Sequence, residues 1–118
     1  MGILDNIYQE RRPWGQFICY ALNEPVTVKL ITLLEDGALS YQSHSKRDEL
    51  WIPLDSGLEF IIDGESFLAG IGEPFLIKKG KRHRAFAYLP SRFLEISFGE
   101  FDENDEKRYN DLYGRIDP

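Results

Sequence analysis

Short apolar and β-branched runs recur along this chain, each closed by turn-forming residues, and no long helical periodicity joins them. The spacing predicts strands over Gln16–Leu22, Val26–Leu34, Leu39–His44, Glu49–Leu54, Leu58–Ile62, Ser66–Leu68, Pro74–Ile77, Arg82–Tyr88 and Arg92–Phe98. Asp36-Gly37 and Asp63-Gly64 read as hairpin turns, because glycine supplies the positive φ that such turns need. Pro53 lies inside a strand and has no N–H to give, which implies an edge position or a bulge. One helix is expected, Asp102–Tyr113, with acids in its first turn and Gly114 as its stop. Many short strands without alternating helices predict an all-β barrel or sandwich.

With 118 residues the chain has room for one core, so a single domain over 1–118 is expected. Apolar residues make up 42% and charged residues 29%, the balance of a globular rather than a disordered chain. No apolar run is long enough for a membrane-spanning helix. The first ten residues show no basic region followed by an apolar stretch, and the one cysteine cannot make an internal disulfide; a cytoplasmic setting is therefore expected. The net charge of -6 argues against nucleic acid as a partner. Five of the 14 basic residues nevertheless fall between Lys78 and Arg84. A compact basic cluster on an acidic background fits a small anion.

The chemistry-bearing stretch is Tyr41-Gln42-Ser43-His44-Ser45-Lys46-Arg47-Asp48-Glu49-Leu50-Trp51. Residues two apart on a strand share a face, so Gln42 and His44 point the same way. An antiparallel return would bring Glu49 back toward His44. His83 stands in a later strand, beside the small same-face residues Ala85 and Ala87, which would leave a cavity around it. Gln42, His44, Glu49 and His83 together offer imidazole nitrogens and oxygens to a borderline divalent ion: Zn, Mn, Fe, Co or Ni.

These spacings resemble the cupin motifs. Gln42-x-His44-x4-Glu49 is similar to the core of the first, with Gln in place of a His. Gly72-x5-Lys78-x-Gly80-x2-His83 is similar to the second, with Lys78 for its Pro. More narrowly, the chain resembles the cupin domain of type II mannose-6-phosphate isomerases, which often follows a mannose-1-phosphate guanylyltransferase domain. The resembling segments are Arg12-Pro13-Trp14-Gly15, Gln42-Ser43-His44 with Arg47, Glu49 and Trp51, Lys81-Arg82-His83-Arg84, and Leu112-Tyr113-Gly114-Arg115. Lys46 and Leu50 stand where that family usually has histidines. The resemblance implies a cupin barrel (double-stranded β-helix, or jelly roll) with a short C-terminal helix, one divalent metal ion on the four donors, and a sugar phosphate as substrate.

On that reading the chain is an aldose–ketose isomerase interconverting mannose 6-phosphate and fructose 6-phosphate. Arg47 occupies the arginine that the family associates with isomerase activity; otherwise it would form a surface ion pair. Lys46, with a depressed pKa, Arg47 or a metal-bound water would serve proton transfer. Lys79 and Lys81 share the parity of His83 and are the better phosphate ligands of the basic cluster, with Arg84 a further candidate. The alternatives are a sugar- or metabolite-binding cupin without turnover, or another metal-cupin enzyme such as an epimerase or oxygenase. Trp14 is expected to pack over a barrel end. Pairing through the apolar run Phe17–Leu22 would give a homodimer.

Overall fold

The computed structural model describes residues 2–110. A 3-10 turn (Ile3–Asn6) precedes eleven strands: β1 (Tyr8–Arg12), β2 (Gly15–Cys19), β3 (Val26–Leu33), β4 (Tyr41–Ser43), β5 (Arg47–Pro53), β6 (Leu58–Ile62), β7 (Glu65–Ala69), β8 (Phe75–Ile77), β9 (His83–Ala87), β10 (Ser91–Gly99) and β11 (Lys107–Asn110). They form a four-stranded sheet in the order β3-β10-β5-β8, a five-stranded sheet in the order β11-β4-β9-β6-β7, and the separate β1-β2 ribbon. Every pairing is antiparallel. This is the expected all-β jelly roll.

The two large sheets enclose an aromatic core. Trp51, Phe60 and Phe93 are fully buried and meet edge-on or tilted at ring separations of 4.9–5.3 Å, separations at which aromatic pairs add to simple area burial. Ala85 and Ala87 belong to this same cluster. Their short side chains make room for aromatic rings rather than for the cavity expected around His83. β5 is buried on both faces, which explains its unbroken apolar run. Its Glu49 and Trp51 face inward, while Leu50 and Ile52 join Ile96 in a second cluster with Ile7 and Tyr20 from the N-terminal segment.

Local chemistry accounts for the connections. Asp63 (φ 52°) and Gly64 (φ 85°) are both left-handed, as a two-residue β6-β7 hairpin requires. Asp36-Gly37 differs from expectation. Asp36, not Gly37, takes the positive φ (61°), and the turn carries the chain from one sheet to the other, where Ala87 N–H bonds the Gly37 carbonyl. Pro53 closes β5, a central strand, instead of marking an edge. Trp14 sits at the β1-β2 turn with 74% of its surface exposed, so it does not pack over the barrel.

The expected helix is absent over its described part. Asp102–Glu106 forms a loop with one turn at Glu103-Asn104, and Lys107–Asn110 is β11, paired with β4; residues 111–113, like the segment Leu112–Arg115, lie outside the described residues. The acids serve a loop, not a helix dipole. The Asp105 carboxylate accepts both backbone N–H groups of Ser45 and Lys46 and the Ser45 hydroxyl, at 2.7–3.2 Å. Tyr109 then shares a hydroxyl hydrogen bond with Ser43. Among the described residues no helix is long and apolar enough to cross a membrane.

Candidate metal centre and cavity

His44, Glu49 and His83 arrive from different sheets. β4 and β9 are neighbours and set Gln42 opposite His83, with His44 just past the end of β4. β5 lies in the facing sheet, so Glu49 reaches the histidines across the barrel interior, not across the hairpin expected from sequence. The three side chains are at most 4% exposed, and their ligand atoms lie within 4.8 Å of one another.

Each imidazole is held in one tautomer by a backbone carbonyl, which can only accept. His44 Nδ1–H donates to the Asp105 carbonyl (2.7 Å) and His83 Nδ1–H to the Lys81 carbonyl (2.8 Å). Both Nε2 lone pairs are thereby turned inward, the arrangement typical of metal-ligating histidines. His44 Nε2 stands 3.6 Å from Glu49 Oε2, and His83 Nε2 stands 3.4 Å from Glu49 Oε1. Two donors on one tetrahedral ion at ~2.1 Å are about 3.4 Å apart. Glu49 Oε1 and His83 Nε2 are buried without a hydrogen-bond partner. Buried polar atoms rarely go unpaired, so the pair fits a bound cation. Burial lowers the His44 pKa, against the pull of Glu49, which favours the neutral ligating form. Burial would raise the Glu49 pKa, but the electrostatic pull of the adjacent His83, then of His44, and the hydrogen bond from Arg47 hold it well below the usual carboxylate range.

Arg47 is not the surface residue of the simpler sequence reading. It is 6% exposed. Its Nε–H donates to Glu49 Oε2 (3.0 Å), its Nη2 lies 3.3 Å from His44 Nε2, and its guanidinium lies over the Phe101 ring at 4.4 Å. A cavity of about 230 Å³ opens beside it, lined on its polar side by Gln42, Glu95, Lys29 and Arg108 and on its apolar side by Ile31 and Leu39. Gln42 Oε1 accepts the Ser40 hydroxyl at 2.7 Å, so its ligating oxygen already has one partner. Glu95 is a second buried carboxylate; burial first, then the negative charge of Glu49, pushes its pKa up to about 7.

The other sequence candidates lie elsewhere. Lys46 is exposed and its Nζ reaches Asp102. That hydrogen bond, with nearby Glu100, raises its pKa, the opposite of what proton shuttling by lysine needs. Lys79 is exposed and meets Asp48 through its backbone N–H. Lys81 pairs with Asp63, and Arg84 lines a separate surface pocket with Tyr41 and Ile61. Sequence reasoning missed Lys29, Glu95 and Arg108, because sheet register rather than a local motif brings them to the cavity.

Two facing antiparallel sheets with histidines and a glutamate converging between them define a cupin. The likeness to solved structures agrees. A dTDP sugar isomerase from Desulfovibrio desulfuricans G20 superposes with a TM-score of 0.68 at 11% identity, covering 92% of this chain and 83% of that one. A cupin protein from Bacteroides fragilis gives 0.58 at 21% identity, covering 68% and 74%. The chain belongs to the mannose-6-phosphate isomerase C-terminal family, whose sequence model matches residues 4–111. It is 30% identical over 110 residues to the alginate biosynthesis protein AlgA of Pseudomonas fluorescens, and 32% identical over 107 residues to a mannose-1-phosphate guanylyltransferase of Escherichia coli. These matches cover 91% and 88% of this chain but only 23% of each relative.

Proposed function

We propose that this chain is a metal-dependent aldose–ketose isomerase acting on a sugar phosphate, interconverting mannose 6-phosphate and fructose 6-phosphate. The observation that carries the reading is the buried His44–Glu49–His83 set with a second buried carboxylate, Glu95, on the wall of the adjoining cavity. The names of the family and of the guanylyltransferase relative, both built on mannose phosphates, support the substrate class. His44, Glu49 and His83 would hold the ion, with Gln42 beside them as a fourth donor. When bound, a divalent ion polarises carbonyl and hydroxyl oxygens of the sugar and stabilises the negative charge developing on them.

The remaining work falls to the protein. Aldose–ketose conversion removes the proton on C2, leaves its electron pair as a C1–C2 double bond while the C1 oxygen is protonated, and then returns a proton to C1 as the C2 hydroxyl loses its own. Glu95 faces the cavity, is not one of the three converging ligands, and is the carboxylate placed to take and return that proton. Arg47 donates hydrogen bonds from the cavity wall and positions Glu49. Ile31 and Leu39 give the sugar's C–H face an apolar wall.

A coupled assay of the chain loaded with Zn²⁺ or Mn²⁺ tests this. Mannose 6-phosphate should be converted to fructose 6-phosphate, a chelator should abolish the conversion, and Glu95→Gln should lower kcat far more than it changes KM. Metal-loaded protein that binds mannose 6-phosphate without turning it over would contradict isomerisation and favour a binding cupin.

A further inference from the structure

Sheet register arranges the inward-facing side chains in two opposed rows. In the four-stranded sheet, Lys29, Glu95, Trp51 and Phe75 lie opposite one another across β3, β10, β5 and β8. In the five-stranded sheet, Arg108, Gln42, His83 and Ile62 do the same across β11, β4, β9 and β6. Each row runs from a cation, through a polar group, to an aromatic or imidazole ring and then to the apolar core. Both cations stand on edge strands, where the two sheets part, and both line the 230 Å³ cavity. The inner end carries Glu95 and Arg47, whose charge is taken up by Glu49. Among the described residues the seam carries Lys29 and Arg108 with Glu103 and Glu106 beside them.

We infer that Lys29 and Arg108 form the phosphate seat, and that the Lys78–Arg84 cluster does not. The inference rests on the sugar-phosphate reading above and fixes how the substrate lies: carbonyl end inward toward Glu49 and Glu95, phosphate outward at the β3/β11 seam. Neighbouring strands are about 4.8 Å apart, so the Lys29 strand β3 lies two strands, or about 10 Å, from β5 with Glu49, and the Arg108 strand β11 lies two strands from β9 with His83. A hexose 6-phosphate carries its phosphate at the far end of the carbon chain from C1 and C2, which suits that separation.

The two cations are held by carboxylates of one segment. Lys29 pairs with Glu103 at 3.0 Å and lies over the Phe101 ring at 4.1 Å; Arg108 pairs with Glu106 at 2.6 Å. Both pairs retain solvent exposure and so contribute little stability. A phosphate dianion can replace both carboxylates with shorter, charge-assisted hydrogen bonds, and Arg108 offers it a fork of donors. Glu103 and Glu106 thus act as competitors that keep the cations extended over the seam until an anion arrives.

Titration calorimetry with mannose 6-phosphate and with mannose tests the seat. Lys29→Met and Arg108→Met should each weaken mannose 6-phosphate by roughly 10- to 100-fold and leave mannose nearly unchanged. Glu103→Gln and Glu106→Gln should tighten mannose 6-phosphate alone, a gain that no misfolded variant would produce. Lys81→Ala should change neither ligand. The inference is overturned if Lys29→Met and Arg108→Met affect both ligands equally or not at all, or if the native chain makes no distinction between them. Loss of phosphate preference in a chain that never turns over mannose 6-phosphate would leave the seat standing and remove only the isomerase reading. Turnover unaffected by either Met substitution would do the reverse.

Discussion

Arg47 and Glu49 form an ion pair that is 6% and 1% exposed, deep enough that solvent screening cannot soften its loss. Arg47→Met keeps an unbranched apolar stem but removes the guanidinium that lies over Phe101. Glu49→Leu keeps the side-chain volume and leaves the guanidinium facing the His44 imidazole. Removing one partner of a buried pair costs about 3–5 kcal/mol, because the other charge stays desolvated. Replacing both with apolar groups removes that penalty, so the double variant should cost less than the sum of the singles by about 1–3 kcal/mol. A domain of this size has about 5–15 kcal/mol in hand, so each single change should consume a large part of it and lower the melting temperature by roughly 12–20 °C. Urea unfolding in chelator, followed by far-UV circular dichroism, measures all four corners of the cycle without a contribution from metal. Single variants that each cost under about 1 kcal/mol, or costs that simply add, would refute the buried, coupled pair and return Arg47 to the class of solvated surface arginines.

Gly99 has φ 116°, and a Cβ there would lie 2.6 Å from the Lys46 carbonyl oxygen. Gly99→Ala should therefore cost about 2 kcal/mol or more by urea unfolding and loosen the turn that aims Arg47. Phe60→Ala should cost about 3–5 kcal/mol, since the ring is fully buried among Trp51, Phe75 and Phe93. Lys46→Ala removes an exposed pair with Asp102 and should leave kcat within a factor of about two of the native value in the coupled assay, whereas a shuttling lysine would abolish it.

The strands could be read from the chain wherever a side chain's face decided its burial. Leu58–Ile62 has the same bounds in the sequence pattern and in the fold, and Asp63-Gly64 makes its two-residue turn. The Asp102–Tyr113 stretch misled for a physical reason. Acids at a helix start and acids that cap a loop look alike in one dimension, and only the approach of residues 45–46 turns Asp105 into a loop clasp. β1 went unread because Tyr-Gln-Glu-Arg-Arg shows little apolar character and its partner is the ribbon strand β2. The spacing around Gln42, His44, Glu49 and His83 was legible because a motif carries it. Glu95, Lys29 and Arg108 were not, since each reaches the cavity through a register between strands far apart in sequence. The run Lys78–Arg84 stands out by its density and by its place beside His83; in the fold its side chains scatter, with Lys81 on Asp63 and Arg82 over the Tyr109 ring.

The claim on which the rest depends is that His44, Glu49 and His83 hold one divalent ion. Metal-stripped protein titrated calorimetrically with Zn²⁺ and with Mn²⁺, alongside His44→Ala and His83→Ala, tests it most directly. The account predicts one ion per native chain for at least one of the two metals. It also predicts loss of that binding in both variants, with the β-sheet circular dichroism signal retained. Absence of binding by the native chain to either metal, or one ion still bound at native affinity by both histidine variants, would contradict it.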